Sequence, residues 1–371
     1  MKRLSVFDIK PGMTLAKMVS SRDGKNLLNH GIKLTTVHIN SLLEYGIPIV
    51  YIQEPDPVTD GHMVEDYHNV QELPDIIDFE TRWEAEKIIR DIMTDVKLGQ
   101  LFDVYPAKQT VKKMVETIMT NKNVIAKLSD IRILDDYTFA HSVNVCVLSI
   151  ATGVIKDYSL RKLYDLGLGA LLHDIGKVRI SEDILNKPGA LDYDELAEIQ
   201  RHPLYGYEIL RQHPEISLSA ANVALQHHEK FNGTGYPKGK IGEEIHEYAR
   251  IVAIADVYDA LTADRVYKNM ILPYEAVEII IASSGYQFEP ELVKIFIQNT
   301  AIYPVGSLVE LNTGQTGIVM NNNRYLPMRP TVKIIADEQG REIKDGPEVD
   351  LMVNTTVFVN KVIRFRNTIL S

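Results

Sequence analysis

The sequence predicts a multidomain protein whose core is an all-α helical bundle over residues 129–302. Within this span apolar residues recur at helical spacing and strand patterns are nearly absent. On either side the pattern changes to short alternating runs bounded by turn residues. We therefore predict a small N-terminal α/β unit at 1–55 and a small C-terminal β-rich segment at 303–371. Residues 56–128 are predicted to be an acidic linker followed by connecting helices.

The composition is typical of a soluble globular chain. Of 371 residues, 45% are hydrophobic and 24% are charged, and no apolar run is long enough to span a membrane. The first residues lack the apolar core of a signal peptide, and a single cysteine, Cys146, excludes an internal disulfide. We therefore expect a cytoplasmic protein. The net charge of −10 argues against a nucleic-acid polymer as partner, so an anionic substrate would need local metals, Lys or Arg.

In the N-terminal unit, Thr14–Val19 and Asn26–Leu28 are predicted to form a hairpin around SSRDG. Thr36 then caps a short helix, and Ile47–Ile52 is predicted to be a strand. No convergent set of polar residues occurs there. A regulatory role, sensory or docking, is a hypothesis with no motif behind it.

The connecting region begins with Glu54–Asp75, which is rich in Pro, Asp and Glu and predicts a linker or long loop. Apolar spacing then predicts helices over Ile76–Lys97 and from about Ala107 to Leu128. The only tryptophan, Trp83, is expected to pack where these helices meet the remainder of the chain.

The bundle itself is predicted from a series of apolar segments separated by turn signals. Helices are expected over Tyr137–Val154, Leu160–Asp174, from Ser181, and over Tyr193–Arg201, Ile216–His228, Ala249–Ala263, Tyr274–Ser284 and Pro290–Asn299. The segment HPLYGYEIL, His202 to Leu210, follows the helix that ends at Arg201. In the C-terminal segment, strands are expected around Thr313-Gly314, over Thr331–Ile335 and over Val357–Phe365.

The stretch LLHDIGK, Leu171 to Lys177, places an imidazole and a carboxylate together at the end of an apolar helix. His173 can hold one divalent metal while Asp174 bridges to a second. Lys177 adds a cation beside the pair, where an anionic group can rest. A single His-Asp pair more often has a structural role than a metal-binding one. Whether His173 and Asp174 bind metal therefore depends on the other potential ligands in the chain.

Further metal-competent residues occur along the same helical span: His141, His202, His227, His228 and Asp256. Asp256 lies in an apolar helix, where an unpaired carboxylate is costly. A metal ion would relieve that cost, and so would a salt bridge to Arg250 or Arg265. Asp259, three residues on, is expected to orient its own helix or Arg265 and not to bind metal.

Together these residues suit two metals that clamp a phosphodiester and share a hydroxide as nucleophile. We expect His141, His173 and Asp256 around one ion. Three further ligands, His202, His227 and His228, are expected around the other, with Asp174 between them. Iron or manganese is expected first, with zinc, nickel or cobalt as alternatives.

Several residues are expected to support such a centre. Glu229 is a candidate for holding a ligand imidazole, and Lys177 and Arg265 for holding phosphate oxygens. In the glycine-rich turn Asn232–Gly242, Tyr236 and Pro237 are expected to line the mouth of the site. A serine hydrolase is excluded because no Ser lies in a G-x-S-x-G context. The turn is not a phosphate loop, because it lacks a strand-to-helix setting.

The span from about 130 to 300 resembles the HD-GYP domain, a branch of the HD phosphohydrolases. The resemblance is carried in order by DDYTFAHSVNV (135–145), HDIGK (173–177), HPLYG (202–206), HHEKFNGTGYPKG (227–239) and ARIVAIADVYDALTADRVY (249–267). It implies an all-α domain of HD type that hydrolyses the bacterial second messenger cyclic di-GMP to pGpG and on to GMP.

The resemblance also assigns roles to individual residues. The implied metal ligands are His141, His173, Asp174, His202, His227, His228 and Asp256. Lys177 and Arg265 resemble substrate-phosphate contacts, with Asp174 and Lys177 at the chemistry. The signature Gly235-Tyr236-Pro237 lies on a loop implicated in contact with a partner, a diguanylate cyclase or another signalling protein. The acidic surface suits a homodimer, although no heptad run requires one.

One position departs from the family pattern. Members with three metals have a glutamate one turn before the first histidine, where this chain has Tyr137. Asp136 precedes it by one residue and points elsewhere around the helix. We therefore expect two metals, with the first cleavage better supported than complete hydrolysis.

Two other functions compete with the phosphodiesterase. One is a signalling module that binds the nucleotide and barely turns it over, which the complete ligand set argues against. The other is a di-iron oxygenase on the related scaffold, which the GYP motif, Lys177 and Arg265 argue against.

Overall fold

The computed structural model describes residues 2–6, 9–10, 12–20, 26–44, 47, 49–53, 76–120, 137–262, 271–298, 300, 302–303, 305–323 and 326–363. The chain divides into two compact units, residues 1–69 and 70–371. The predicted linker Glu54–Asp75 lies outside the described residues. The finer boundaries predicted at residues 55, 128 and 302 stay predictions.

The first unit is a small α/β structure. Its elements are β1 (Lys2–Ser5), β2 (Thr14–Leu15), β3 (Val19–Ser20), β4 (Asn26–Leu28), α1 (Thr36–Glu44) and β5 (Ile49–Gln53). Strand β5 lies between β1 and β2 in an antiparallel sheet, and β3 pairs with β4. The predicted hairpin is thus confirmed only at Val19, because Thr14–Leu15 pairs with β5 instead of with Asn26–Leu28. A core of its own includes Leu15, Leu34 and Val50, each at most 1% exposed.

The second unit begins with helices. They are α2 (Phe79–Lys97), α3 (Tyr105–Thr120), α4 (Tyr137–Ile155), α5 (Leu160–Leu171), α6 (Glu182–Leu185), α7 (Tyr193–Ile199), α8 (His202–Leu210), α9 (Leu218–Gln226), α10 (Glu247–Thr262), α11 (Pro273–Ala282) and α12 (Pro290–Gln298). Short 3-10 helices, Ile175–Arg179 and Gly242–Glu244, lie between them. Within the described part of the chain, no helix combines the length and the apolar character needed to cross a membrane.

The helices pack around a continuous apolar core in which α4 and α10 are central. Val143, Val147 and Ile150 of α4 and Ile251 and Ile254 of α10 are all fully buried. Burying each such side chain contributes about 1.5–3 kcal/mol. The same core includes residues of α2 and α3, so these helices pack on the bundle that carries the site.

The last described elements form a five-stranded antiparallel sheet. Its strands are β6 (Leu308–Leu311), β7 (Thr316–Asn321), β8 (Thr331–Ala336), β9 (Glu348–Asp350) and β10 (Val359–Val362), in the order β10-β6-β7-β8-β9. Alternate residues of β6, β7 and β8 are buried, as the period of a strand requires. This sheet confirms the predicted β-rich segment and, with the helical core, the predicted fold class.

One expectation about the connecting helices is wrong. Trp83 is 40% exposed, and the ammonium of Lys87 lies over its ring. The buried face of α2 instead carries Arg82, Ala85 and Ile89. A prediction from the apolar side chains of α2 alone gives the wrong buried face, because a charged residue, Arg82, occupies one of the buried positions.

Candidate metal centre

His173 and Asp174 follow directly on the buried helix α5. The helix ends at Leu171 with Leu172 as its cap residue, and the chain turns there so that both side chains point into the bundle, at 0% and 2% exposed. The Nδ1–H of His173 donates to the carbonyl oxygen of Ala170 over 2.7 Å. The backbone thus fixes the ring and leaves Nε2 as the ligand atom.

Two further imidazoles are held in the same way. The Nδ1–H of His202, at the start of α8, donates to the carbonyl oxygen of Ile199 over 2.7 Å. That of His227, just after α9, donates to the carbonyl oxygens of Val223 and Ala224 over 3.1 and 3.0 Å. Their Nε2 atoms approach each other to 3.3 Å, so both lone pairs face one point.

His141 is held by a carboxylate instead of the backbone. Its Nδ1 lies 2.7 Å from Oδ2 of Asp259, and its Nε2 lies 3.1 Å from Oδ1 of Asp256. Asp256 and Asp259 are one turn apart on α10, which allows both to reach the same ring. This contact of Asp259 with His141 is one that the sequence did not predict, and the expected contact with Arg265 lies outside the described residues.

Asp174 lies between two groups of ligand atoms. Its Oδ2 is 3.4 Å from Nε2 of His173 and 3.9 Å from that of His141. Its Oδ1 is 3.4 Å from Nε2 of His202 and 3.7 Å from that of His227. Each carboxylate oxygen thus faces a different group.

These distances define two groups that could each hold a metal ion. One comprises His141, His173 and Asp256, and the other Asp174, His202, His227 and His228, each with ligand atoms within 4.8 Å of one another. This is the division that the sequence suggested. The assignment of these seven residues as metal ligands stays a prediction.

Two buried atoms test whether a metal suits the site. Nε2 of His173 and Oδ1 of Asp174 are shielded from solvent and make no hydrogen bond to the described residues. Leaving such atoms unsatisfied costs about 1–3 kcal/mol each. A divalent cation would satisfy both, and the nitrogen and carboxylate donor set suits iron, manganese or zinc.

Protonation differs between the two groups. Burial lowers the pKa of His228 to about 4, and burial with neighbouring imidazoles holds the pKa of His227 well below its usual range. Burial also lowers the pKa of His202. These rings are neutral near pH 7, as metal ligands must be.

The other group carries a proton. Burial opposes charge on His141, but its hydrogen bonds to Asp256 and Asp259 outweigh burial and raise its pKa to about 10. Burial likewise opposes charge on Asp174, yet Lys177 and His173 hold its pKa well below the usual range. A cation bound beside His141 must therefore displace a proton from the ring.

The predicted substrate contacts are only partly described. Lys177, on the 3-10 helix after the His-Asp pair, forms an ion pair with Asp174 and is 32% exposed, so its ammonium borders the centre. Arg265 and Asp136 lie outside the described residues, and the side chain of Tyr137 is also not described.

The glycine-rich turn lies against the second group. The ring of Tyr236 stacks on that of His228 with centroids 4.8 Å apart. Gly235 is required there, because a Cβ at this position would lie 2.2 Å from the backbone nitrogen of Lys230. The peptide bond between Tyr236 and Pro237 is cis.

Glu229 has a different role from the one expected. Its two carboxylate oxygens accept hydrogen bonds from the backbone nitrogens of Lys238 and Lys240, over 2.8 and 3.0 Å. It therefore fixes the glycine-rich turn and does not hold an imidazole. The two lysines follow Glu229 by nine and eleven residues, a spacing that does not predict contacts with their backbone nitrogens.

Sequence reasoning missed a polar chain behind His141. Nδ2 of Asn144 donates to Oδ1 of Asp259 over 2.8 Å, and Arg82 donates to Oδ1 of Asn144 over 2.6 Å. Asn144 is one turn after His141 in the quoted motif. That spacing could have indicated a contact near His141. No sequence pattern connects Arg82 to the site, because it lies 62 residues before Asn144.

Comparison with known families assigns two segments of the chain. Residues 131–292 match the model of the HD domain family. Residues 308–371 match a family described as the KOW domain associated with HD domain.

Three relatives of this chain are named as phosphodiesterases. The chain is 36% identical over 267 residues to cyclic di-GMP phosphodiesterase PA4108 of Pseudomonas aeruginosa, covering 72% of this chain and 64% of that protein. It is 43% identical over 136 residues to the cyclic di-GMP phosphodiesterase response regulator RpfG of Xanthomonas campestris pv. campestris, covering 36% of each. It is 45% identical over 129 residues to 3'3'-cGAMP-specific phosphodiesterase 2 of Vibrio cholerae, covering 34% of this chain and 25% of that protein. The matched segments thus span less than two thirds of each relative.

Proposed function

Residues 131–292 form a domain of the HD family, as the resemblance of its motifs indicated, and from this premise we propose that the chain is a metal-dependent phosphodiesterase acting on cyclic di-GMP. The observation that carries the proposal is the position of Asp174, whose two oxygens face two separate groups of ligand atoms. Centres that hold two ions on a shared carboxylate are suited to phosphodiester cleavage.

The chain's own residues would prepare the site for this reaction. Backbone carbonyls and Asp259 fix the imidazoles so that each presents Nε2 inward. Two divalent ions, when bound, would neutralise the phosphodiester and activate water. With both oxygens of Asp174 then engaged, the ammonium of Lys177 would be available to a non-bridging phosphate oxygen.

The choice of substrate rests on the names of the relatives. PA4108 and RpfG are named for cyclic di-GMP, and the Vibrio protein for 3'3'-cGAMP. We place cyclic di-GMP first, because PA4108, a relative that covers 72% of this chain, is named for it. Attack on one phosphodiester would give pGpG. A second cleavage to GMP is less well supported, since Tyr137 stands where members with three metals have a glutamate.

The glycine-rich turn is also proposed to contact a partner. Thr234 and Lys238 are exposed there, while Glu229 and the stacked Tyr236 keep the turn in place. A fixed turn with exposed tips suits a docking loop for a diguanylate cyclase or another signalling protein. A homodimer and a cytoplasmic location complete the proposal.

The test is product analysis on metal-loaded protein. The chain is purified without oxygen, loaded with Fe(II) or Mn(II), and incubated with cyclic di-GMP or 3'3'-cGAMP while products are separated by chromatography. We expect pGpG from cyclic di-GMP, with no product after chelation or in Asp174→Ala. Binding of the nucleotide without product, at verified occupancy of two ions, would replace the enzyme with a signalling module.

A further inference from the structure

We propose that Arg82, on a helix before the HD domain, is a positioning residue for the metal centre. It acts through Asn144 and Asp259 on the ring of His141. The proposal rests on the proposed function, because it concerns the same centre. It adds to that function a residue that no family motif includes, 62 positions before Asn144 in the chain.

Arg82 is placed deep in the structure at considerable cost. It is 1% exposed and is among the largest fully buried side chains of the described residues. Burying a guanidinium is unfavourable unless polar partners hold it. Its hydrogen bond to Oδ1 of Asn144, at 2.6 Å, is short and charge-assisted. The helix α2 begins just before it, where Asp78 caps the nitrogen of Thr81, so the position of Arg82 in the helix is fixed.

The direction of the Asn144 amide follows from this contact. An amide presents an oxygen on one side and a nitrogen on the other, and either could face Asp259. A guanidinium has only donors, so it selects the amide oxygen. The amide nitrogen then faces Asp259 and donates to its Oδ1 over 2.8 Å. With the amide reversed, two oxygens would oppose each other there.

Asp259 transmits this orientation to the ligand. With one oxygen held by Asn144, the other accepts from Nδ1 of His141 over 2.7 Å. The Nδ1–H of the ring is thereby directed at Asp259, and Nε2 faces Asp256, 3.1 Å away. Outer partners of this kind typically change metal affinity by about 10–100-fold when removed.

The effect should be confined to one of the two groups. His202 and His227 take their orientation from backbone carbonyls and not from this chain of contacts. Loss of Arg82 should therefore weaken the ion beside His141 and spare the ion beside His202. A purely structural arginine, which only joins α2 to α4, would affect stability without this selectivity.

The test is a Mn(II) titration of the full chain, with free Mn(II) followed by electron paramagnetic resonance. The variants are Arg82→Met and Asn144→Ala, with His141→Ala to identify the binding step of its group. Ile89→Ala is the matched control, because Ile89 is buried to the same 1% on the same helix and belongs to the hydrophobic core. This readout requires no substrate.

We expect Arg82→Met to weaken the His141 step by about 10–100-fold and leave the other step within about threefold. Asn144→Ala should weaken the same step. The double variant should bind Mn(II) at this step no more weakly than whichever single variant has the lower affinity. If Arg82→Met does not fold, Asn144→Ala still carries the test. Ile89→Ala should lower the unfolding midpoint and keep both steps.

Three results would overturn the inference. Wild-type constants in folded Arg82→Met and Asn144→Ala would show that the contacts do not position His141. An equal loss at both steps, or the same loss in Ile89→Ala, would show that Arg82 is only structural. A wild-type chain that takes up no Mn(II) or Fe(II) would overturn the proposed function as well, whereas the first two results leave it intact.

Discussion

Replacing Gly176 with alanine should move Asp174 and His202 of the metal centre apart. An added Cβ would lie 2.0 Å from the carbonyl oxygen of His202 and 2.4 Å from the backbone nitrogen of Gly206. Both atoms belong to the backbone of α8, so no side chain can rotate away. Since ordinary contact begins at 3.4 Å, the backbones must move apart by about 1.4 Å.

That movement falls directly on the metal centre. Asp174 lies two residues before Gly176, and its Oδ1 is 3.4 Å from Nε2 of His202. Metal–ligand distances tolerate about ±0.2 Å, so the displacement is several times too large. Overpacking of a core costs about 1–3 kcal/mol. We expect affinity for the ion beside His202 to fall more than about tenfold, with a lower unfolding midpoint.

The assay is metal content per chain after dialysis, by mass spectrometry, together with thermal unfolding. Gly206→Ala is the control at the same contact, because its Cβ would lie 3.2 Å from the side chain of Ala224 and 3.4 Å from the nitrogen of Gly176. That variant should retain its metal. Wild-type metal content and midpoint in Gly176→Ala, or equal losses in both variants, would refute the reasoning.

Three further predictions concern charge and ring contacts. Mn(II) binding beside His141 should strengthen about tenfold per pH unit from near neutrality to about pH 10, because the ion displaces one proton from a ring with a raised pKa. Calorimetry in buffers of different ionisation enthalpy should detect that proton, and zero release would contradict the prediction. Lys177→Ala should keep both ions yet raise KM for cyclic di-GMP about tenfold in steady-state kinetics, and an unchanged KM would exclude Lys177 from substrate binding. Tyr236→Leu should weaken the ion held by His228 about two- to fivefold through loss of the stacked ring, as metal titration would measure. An unchanged constant there would limit Tyr236 to shaping the turn.

Most of the helical core was predictable because its helices repeat apolar residues at one spacing. The predicted helix Tyr137–Val154 differs from α4 by one residue at its end, and the predicted helix Pro290–Asn299 likewise differs from α12 by one residue. The short strands β1 and β9 were missed, since four and three residues with charged members do not establish an alternation.

The grouping of the candidate ligand side chains was predictable for a different reason. A carboxylate and imidazoles buried in an apolar helical span have few favourable environments other than a metal site. The residue types by themselves therefore predict that these side chains lie together. Contacts outside the motifs were not accessible in this way. Asp259 and Glu229 each have several polar residues near them in the sequence. Their actual partners, His141 and the backbone of Lys238, are set by the packing of α10 and of the glycine-rich turn.

Arg82 illustrates the limit most clearly. In the sequence Arg82 is one of many charged residues in a predicted helix, and it precedes Trp83, the residue expected to lie on the buried face. Its burial depends on a hydrogen-bond partner 62 residues away. Apolar periodicity carries no information about a polar contact at that distance.

The most direct test of the central claim, two ions sharing Asp174, is anomalous diffraction from crystals of the Mn(II)-loaded chain. We expect two peaks, one on each side of the Asp174 carboxylate, each about 2.0–2.3 Å from one of its oxygens. One peak should contact Nε2 of His141 and the other Nε2 of His202. A single peak, or two peaks that both lie away from Asp174, would contradict the account.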